Sequence, residues 1–189
     1  IDVNGLLPSN ILEREDGMVQ IGALATLQDL IQSPLIPSPV KEAASLCASF
    51  ERRNSATVGG NIACRRDDSY LGALFSVMGV KTYAVTPHGE GEKSVEDYFP
   101  TTCRRLILYF ILDPRKDGWV KRFGNTVSSH AALIAAESDG RYALSVKGSR
   151  MVIGDTPEIY KDVEYVSDMF GSAEYKKYLA SIVFGLRRK

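Results

Sequence analysis

The chain has few of the residues that metal and hydrolytic centres require. Its 189 residues include three cysteines, Cys47, Cys64 and Cys103, and two histidines, His88 and His130. Three scattered cysteines make neither a disulfide framework nor a C-x-x-C metal clamp. The histidines fall in a predicted turn and at a predicted helix start, so the pattern favours neither a zinc site nor a Ser-His-Asp set.

The chain also lacks an excess of either charge and any long apolar segment. Lys plus Arg and Asp plus Glu each number 23, so no overall field attracts nucleic acid or an acidic membrane. No apolar run reaches the length of a membrane span, and the first residues do not follow the pattern of a secretory signal. With 44% hydrophobic residues, the chain can bury a core. We expect a protein of the reducing cytoplasm that has neither nucleic acid nor a membrane as its partner.

The most informative segment, residues 52–62, contains the adjacent glycines Gly59-Gly60. Adjacent glycines permit positive φ angles and let a ligand approach the bare backbone. Successive N–H groups in such a turn can form a nest that suits a phosphate oxygen. Thr57 and Asn61 can add side-chain hydrogen bonds, and the two arginines that begin the segment add positive charge. The alternative is that the glycine pair is only a tight turn between two packed elements.

This segment resembles the second flavin-binding loop of the medium, FAD-binding subunits of molybdenum hydroxylases, the family of xanthine dehydrogenase and molybdenum carbon monoxide dehydrogenase. The typical run there is R-N-x-A-T-I-G-G-N-I-A, and residues 53–63 read R-N-S-A-T-V-G-G-N-I-A. The resemblance begins at Ile1-Asp2-Val3 and includes a hairpin turn at Asp16-Gly17 and the following I-G-A segment. Family members carry another glycine-rich loop, of the A-G-G-T type, upstream of the residues that this sequence contains.

The resemblance implies an FAD site and a set of residues that contact the flavin. In the family, the Asp of an N-A-S-P-x-S-D stretch contacts the flavin nucleotide, and Asp68 is its uncertain counterpart, with helix capping by Asp68 or Ser69 as the alternative. In the family, the start of a strand that corresponds to Leu106 and Ile107 also lies near the flavin, although buried strand residues of this type are usually only part of the core. A strand Lys approaches the flavin as well, and Lys121 occupies its position, with a plain surface Lys as the alternative. The implied contacts are Asn54, Thr57, Val58, Gly59, Gly60, Asn61, Asp68, Ile107 and Lys121.

The patterns together predict an α+β protein with two domains. Residues 1–113 resemble the FAD-binding domain, incomplete at its N-terminus, and residues 118–189 resemble the small C-terminal α/β domain of the same subunits. Periodicity and turn residues predict the individual elements. The predicted strands are 18–23, 81–86, 106–112, 119–123 and 141–147, and the predicted helices begin at Ser38 or span 71–78, 94–99, 128–136 and 172–186. Phe50 and Tyr175 are expected on the buried faces of their helices.

The resemblance implies electron transfer within a multi-subunit enzyme. A partner iron–sulfur subunit would deliver electrons to FAD, and a soluble acceptor, NAD being the candidate, would remove them. The molybdenum cofactor and the [2Fe-2S] clusters would lie in partner subunits, since the sequence offers no cluster-ligand cysteines. A cofactor-free structural or assembly subunit is the alternative, favoured by the missing upstream loop and opposed by the intact glycine pair. A binder of another nucleotide is a third possibility.

Overall fold

A computed structural model describes residues 3, 5–100, 105–126 and 129–185. Two antiparallel sheets and six α-helices make up this part of the chain. The strands are β1 Ile11–Glu13, β2 Val19–Gly22, β3 Lys81–Thr86, β4 Gly89–Ser94, β5 Leu106–Leu112, β6 Trp119–Phe123, β7 Leu133–Ser138, β8 Arg141–Val146 and β9 Val152–Gly154. The helices are α1 Leu27–Gln32, α2 Ser38–Leu46, α3 Phe50–Arg53, α4 Val58–Ala63, α5 Tyr70–Val77 and α6 Ala173–Gly185. The mixed helix and sheet content confirms the α+β class.

The first sheet has the strand order β1-β2-β5-β3-β4. The β1–β2 hairpin turns at Asp16-Gly17, as expected, with Gly17 at a φ of 76° and the Met18 N–H donating to Asp16 Oδ1 over 3.0 Å. The β3–β4 turn is tight, because β3 ends at Thr86 and β4 begins at Gly89. The apolar β5 lies at the centre of the sheet, so its neighbours cover it on both edges.

The second sheet has the order β6-β7-β8-β9 and corrects one prediction. Residues 128–136 were expected to form a helix of small residues, and this is wrong, because β7 occupies Leu133–Ser138. Ala135 and Ala136 point to opposite faces of the sheet and are both fully buried. A strand that is buried on both faces reads as a continuous apolar run, which periodicity alone cannot distinguish from a helix.

The main core crosses from the first sheet to the second. It joins residues of both sheets, such as Ile21, Phe110 and Ile134, with α1, α2, α4 and α5. A second cluster fills the space between the opposite face of the second sheet and α6, with Trp119 and Phe184 at its centre. The predicted domain boundary at residues 113–118 separates the two sheets, but the main core extends across it. The division into two domains therefore stays a prediction.

Two helical faces differ from the expected ones. Helix α2 ends at Leu46, so Phe50 begins the separate helix α3 and its side chain is 55% exposed. In α6, Tyr175 is 50% exposed, and the buried residue beside it is Lys176. Leu186 and the terminal Arg187-Arg188-Lys189 fall outside the described residues, as does Cys103. None of the helices formed by the described residues has both the length and the hydropathy that a membrane span requires.

Candidate functional site

The glycine pair lies in the first turn of α4, and neither glycine uses a positive φ. Thr57 is the N-cap, and its Oγ1 accepts a hydrogen bond from the Gly60 N–H over 3.1 Å. The Val58 and Gly59 N–H groups donate to the carbonyl oxygens of Ala25 and Ala23, each over 2.9 Å. These first amides of the helix, which are usually unpaired at a helix start, are thus bonded within the protein.

The two glycines serve different purposes. A Cβ on Gly59 would lie 2.7 Å from the Ala23 carbonyl oxygen and 2.8 Å from the Ala23 Cβ, so glycine is needed there for the close approach of α4 to the chain after β2. Gly60 is exposed, and a Cβ there would meet only Thr57 Oγ1, at 3.0 Å. Close packing therefore explains Gly59, whereas Gly60 leaves bare backbone facing solvent, where a ligand can approach.

Beside α4 lies an open cleft of about 830 Å³ between the helices of the first half and the second sheet. Its volume is in the range of small-molecule sites. Four arginines line it, Arg52, Arg53, Arg66 and Arg122, and Asp68 is the one carboxylate among its described lining residues. The cleft is therefore strongly positive and suits an anionic ligand.

Asn61 extends from α4 to the wall of this cleft and is fixed by Ser69. The Ser69 hydroxyl donates to Asn61 Oδ1 over 2.8 Å and accepts from the Gly72 N–H over 2.9 Å, which caps α5. Helix capping is thus performed by Ser69 and not by Asp68. Because Asn61 Oδ1 is turned toward Ser69, the Asn61 amide nitrogen is the group placed to donate to a ligand.

Asp68 lies at the boundary of the two sheets within a set of cationic groups. Its carboxylate accepts from Arg66 Nε and Nη2 over 2.7 and 2.8 Å and from Lys147 Nζ over 3.0 Å. His130 Nδ1 lies 3.7 Å away. The hydrogen bonds from Arg66, followed by those from Lys147, hold the pKa of Asp68 well below its usual range despite partial burial. Asp68 therefore stays ionised and ties the loop after α4 to β8.

Asp68→Asn is expected to lower the free energy of unfolding at pH 7 by roughly 1–2 kcal/mol, since hydrogen bonds to charged groups contribute about that much. The folded state lowers the pKa of Asp68, so its stabilising effect is complete above the unfolded pKa and is lost as pH falls through the folded one. The gap between parent and variant should then narrow below about pH 4. Urea unfolding at pH 7 and pH 3 measures this difference in the free energy of unfolding. A difference that is the same at both pH values would contradict the stabilising role of the Asp68 charge.

The matched control for this variant is Asp113→Asn. Asp113 accepts the same two guanidinium hydrogen bonds, over 2.8 and 2.9 Å, in the linker between the sheets, from an Arg115 side chain that is 76% exposed. An exposed ion pair contributes under about 1 kcal/mol. Comparing the two variants thus distinguishes the contribution of the Asp68 ion pairs to stability from that of the more exposed Asp113–Arg115 pair.

The remaining predicted contacts lie away from the cleft. Asn54 Nδ2 donates to the Phe50 carbonyl oxygen over 3.0 Å at the end of α3. Ile107 is buried in the main core, with 4% of its surface exposed. Lys121 Nζ lies 5.9 Å from the centroid of the Trp119 ring, on the face of the second sheet that packs against α6. The structure thus brings Asn61 and Asp68 to the cleft, places Thr57 and residues 58–60 beside it, and leaves the other three elsewhere.

Sequence reasoning missed Arg122, which follows Lys121 and faces the cleft. Successive side chains of a strand point to opposite faces, and Val120, two residues earlier, lies in the main core. Arg122 Nη2 donates to the carbonyl oxygens of Thr126 and Ser129 over 3.1 and 2.6 Å. The alternation was readable in the sequence, but the face that borders the cleft depends on how α5 packs against the sheet.

One wall of the cleft is less polar and is formed by the end of α2. It consists of Leu46, Cys47 and Ala48. The Cys47 side chain is half-buried, and its Sγ donates to the Ala43 carbonyl oxygen over 3.2 Å. Burial raises the pKa of Cys47 to about 12, so this thiol stays protonated and adds no negative charge to the cleft.

Comparison with known proteins places this geometry in context. Residues 1–112 match the family described as the FAD binding domain in molybdopterin dehydrogenase. The chain is 28% identical over 187 residues to the uncharacterized protein YgfM of Escherichia coli K12, covering 89% of this chain and 71% of that protein. It is 29% identical over 110 residues to the carbon monoxide dehydrogenase medium chain of Hydrogenophaga pseudoflava, covering 57% of this chain and 38% of that one.

Solved structures share the fold at lower sequence identity. Carbon monoxide dehydrogenase from Hydrogenophaga pseudoflava superposes with a TM-score of 0.79 and 21% identity, over 93% of this chain and 75% of that one. Quinoline 2-oxidoreductase from Pseudomonas putida 86 gives 0.78 and 18%, over 93% and 74%. The likeness thus extends through the second sheet, beyond the residues that match the family.

Proposed function

The chain belongs to the family of FAD binding domains in molybdopterin dehydrogenases, and from this premise we propose that it passes electrons from an iron–sulfur partner subunit to a soluble acceptor. NAD is the candidate acceptor. FAD supplies the redox chemistry when bound, and the chain's own residues bind and orient it. The molybdenum cofactor and [2Fe-2S] clusters are assigned to partner subunits, because four thiolates hold a typical cluster and the sequence has three cysteines.

The observation that carries the proposal is the positive cleft beside the glycine pair. FAD contains a pyrophosphate, and the cleft offers four arginines, the amide of Asn61 and a roughly neutral wall at the end of α2. The bare backbone at Gly60 adjoins Asn61 and leaves room for a ligand to approach. The donors and the available space therefore fit an anionic dinucleotide.

A second candidate function, a cofactor-free structural or assembly subunit, also has an observation in its favour. The N–H groups of Val58 and Gly59, which a phosphate nest would need, donate to Ala25 and Ala23 instead. Such internal bonds are what a purely structural turn requires. The positive cleft opposes this candidate, because a scaffold has no need to collect four arginines around an open cavity.

Titration of the purified chain with FAD separates the two functions. Flavin absorbance that remains with the protein after gel filtration, together with saturable quenching of flavin fluorescence, is the result expected of a flavoprotein. A colourless protein that leaves FAD fluorescence unchanged would reject the proposed function and favour the scaffold. Mass spectrometry of the same sample checks that the protein titrated with FAD has the 20.8 kDa mass of this chain.

Gly60→Val is expected to weaken FAD binding at least about tenfold, because a branched side chain occupies the open surface beside Asn61 where the ligand approaches. The fold should persist, since a Cβ at residue 60 meets only Thr57 Oγ1. Fluorescence titration measures the affinity, and circular dichroism checks the fold. Gly91→Val is the control, because Gly91 lies in β4 with no atom within 4 Å of its added Cβ. Equal FAD affinity of the Gly60 variant and the parent would reject this role for Gly60.

A further inference from the structure

The glycine turn beside the cleft has no unbonded N–H group among residues 58–60 to offer a phosphate. A glycine turn of this kind would ordinarily hold a phosphate through its backbone N–H groups. Here the N–H groups of Val58, Gly59 and Gly60 donate to Ala25, Ala23 and Thr57. A pyrophosphate in the cleft must obtain most of its compensating charge from side chains.

The four arginines of the cleft differ in how they are held. Arg53 donates from Nε to Gln28 Oε1 and from Nη1 to the carbonyl oxygens of Ser45 and Ala48, so it fixes the chain between α2 and α3. Arg52 lies on the exposed side of α3. The other two, Arg66 and Arg122, come from different segments of the chain, one from the loop after α4 and one from β6.

We infer that Arg66 and Arg122, and not the amides of the glycine turn, supply the charge that holds the pyrophosphate of FAD, an assignment that rests on the proposed function. A guanidinium has five N–H donors, and two of those on Arg66 bond Asp68. Arg122 is held in place by its bonds to Thr126 and Ser129. Both guanidinium groups are thus oriented before a ligand arrives, which lowers the entropy cost of binding.

The excess of positive charge supports this assignment. Arg66 and Lys147 pair with the ionised Asp68, which is the one carboxylate among the described lining residues, and Arg52, Arg53 and Arg122 add three further positive charges to the cleft. Guanidinium groups bind phosphate oxygens through paired, charge-assisted hydrogen bonds. The site therefore recognises the phosphate part of the ligand through the loop after α4 and strand β6 of the second sheet, which makes binding dependent on their relative position.

The test compares ligands that contain or lack the pyrophosphate. Arg66→Gln is the first variant, because the Arg66 side chain is 55% exposed and its loss should leave the fold intact. Arg122→Lys is the second, since it keeps a charge and removes the planar fork. The control is Arg115→Gln, which removes a guanidinium that bonds Asp113 through the same two nitrogen atoms outside the cleft. FAD, riboflavin and inorganic pyrophosphate are titrated against each protein at two salt concentrations.

We expect each cleft variant to bind FAD about tenfold or more weakly, because a charge-assisted hydrogen bond contributes at least that much. The salt dependence should become smaller in Arg66→Gln, which removes a charge, and stay the same in Arg122→Lys, which keeps it. Riboflavin binding should change little, and competition by pyrophosphate should decline with FAD affinity. Unchanged FAD affinity in both cleft variants, with a parent that binds FAD, would overturn the assignment and leave the proposed function standing. A parent that binds neither FAD nor pyrophosphate would overturn both.

Discussion

Gly59→Val is expected to lower the free energy of unfolding by about 3 kcal/mol, at the upper end of what overpacking costs. A Cβ at this position would lie 2.7 Å from the Ala23 carbonyl oxygen and 2.8 Å from the Ala23 Cβ, and a valine adds two methyl groups beyond it. Neither neighbour is the end of a flexible side chain. Helix α4 must therefore move away from the chain after β2, which breaks the Gly59 N–H bond to Ala23.

Urea denaturation of parent, Gly59→Val and Gly60→Val measures this effect with a close control. The same substitution at the next residue changes helix propensity in the same way but meets only Thr57 Oγ1. We expect the Gly60 variant to remain within about 1 kcal/mol of the parent, as is usual for an exposed substitution. Similar losses in the two variants would mean that the approach of α4 to Ala23 does not determine stability. The two variants also distinguish the packing role of Gly59 from the ligand-binding role proposed for Gly60, which the sequence motif alone does not distinguish.

The sequence was informative where local chemistry decides the structure. The hairpin at Asp16-Gly17 and the end of α5 at Gly79 depend on single residues that adopt positive φ angles. Strands β3, β5 and β6 follow the predicted ranges because the apolar and turn residues at their ends are unambiguous. In the same way, the motif around Gly59-Gly60 correctly indicated the family, since membership depends on residue identity along the chain.

The sequence was less informative where packing between distant segments decides the structure. Strand β7 was predicted as a helix because its alanines suit both states, and only its burial between α5 and α6 requires an extended chain. Lys121 was predicted, and Arg122 was missed, because the resemblance gives only the position of a residue along the strand. It does not tell which face of the sheet borders the cleft, and that face carries Arg122. The amides of Val58 and Gly59 could not be assigned from sequence either, since their acceptors, Ala25 and Ala23, lie more than thirty residues earlier in the chain.

Buried charge in α6 is the feature that no sequence pattern indicated. An amphipathic reading directs Tyr175 inward and leaves Lys176 outside, whereas Lys176 has no exposed surface. Its ammonium group lies 2.8 Å from Asp168 Oδ2 and donates to the carbonyl oxygens of Val166 and Lys147 over 2.8 and 3.2 Å. Three acceptors satisfy its three N–H donors. Lys176 thus joins the loop before α6 to the end of β8, where Lys147 holds Asp68.

Lys176→Met should lower the free energy of unfolding by about 2 kcal/mol, because removing the buried ammonium group leaves the Val166 and Lys147 carbonyl oxygens without their donor and the 28% exposed Asp168 without its ion-pair partner. Methionine is only one atom shorter than lysine, so the loss of stability reports mainly the missing charge and not a cavity. Lys161→Met is the control, since Lys161 bonds Glu158 over 2.8 Å with both side chains more than half exposed, and it should change stability by under about 1 kcal/mol.

Urea unfolding of the two variants and of the double variant Lys176→Met with Asp168→Asn completes the test of this ion pair. If the charge pair carries the effect, the double variant should be less destabilised than the sum of the single ones, because each substitution removes the same interaction. Additive losses would assign the effect to the two backbone acceptors instead. A Lys176 variant as stable as the parent would mean that the buried ammonium contributes no more than methionine does in the same space, which is the result known for some buried ion pairs replaced by apolar groups.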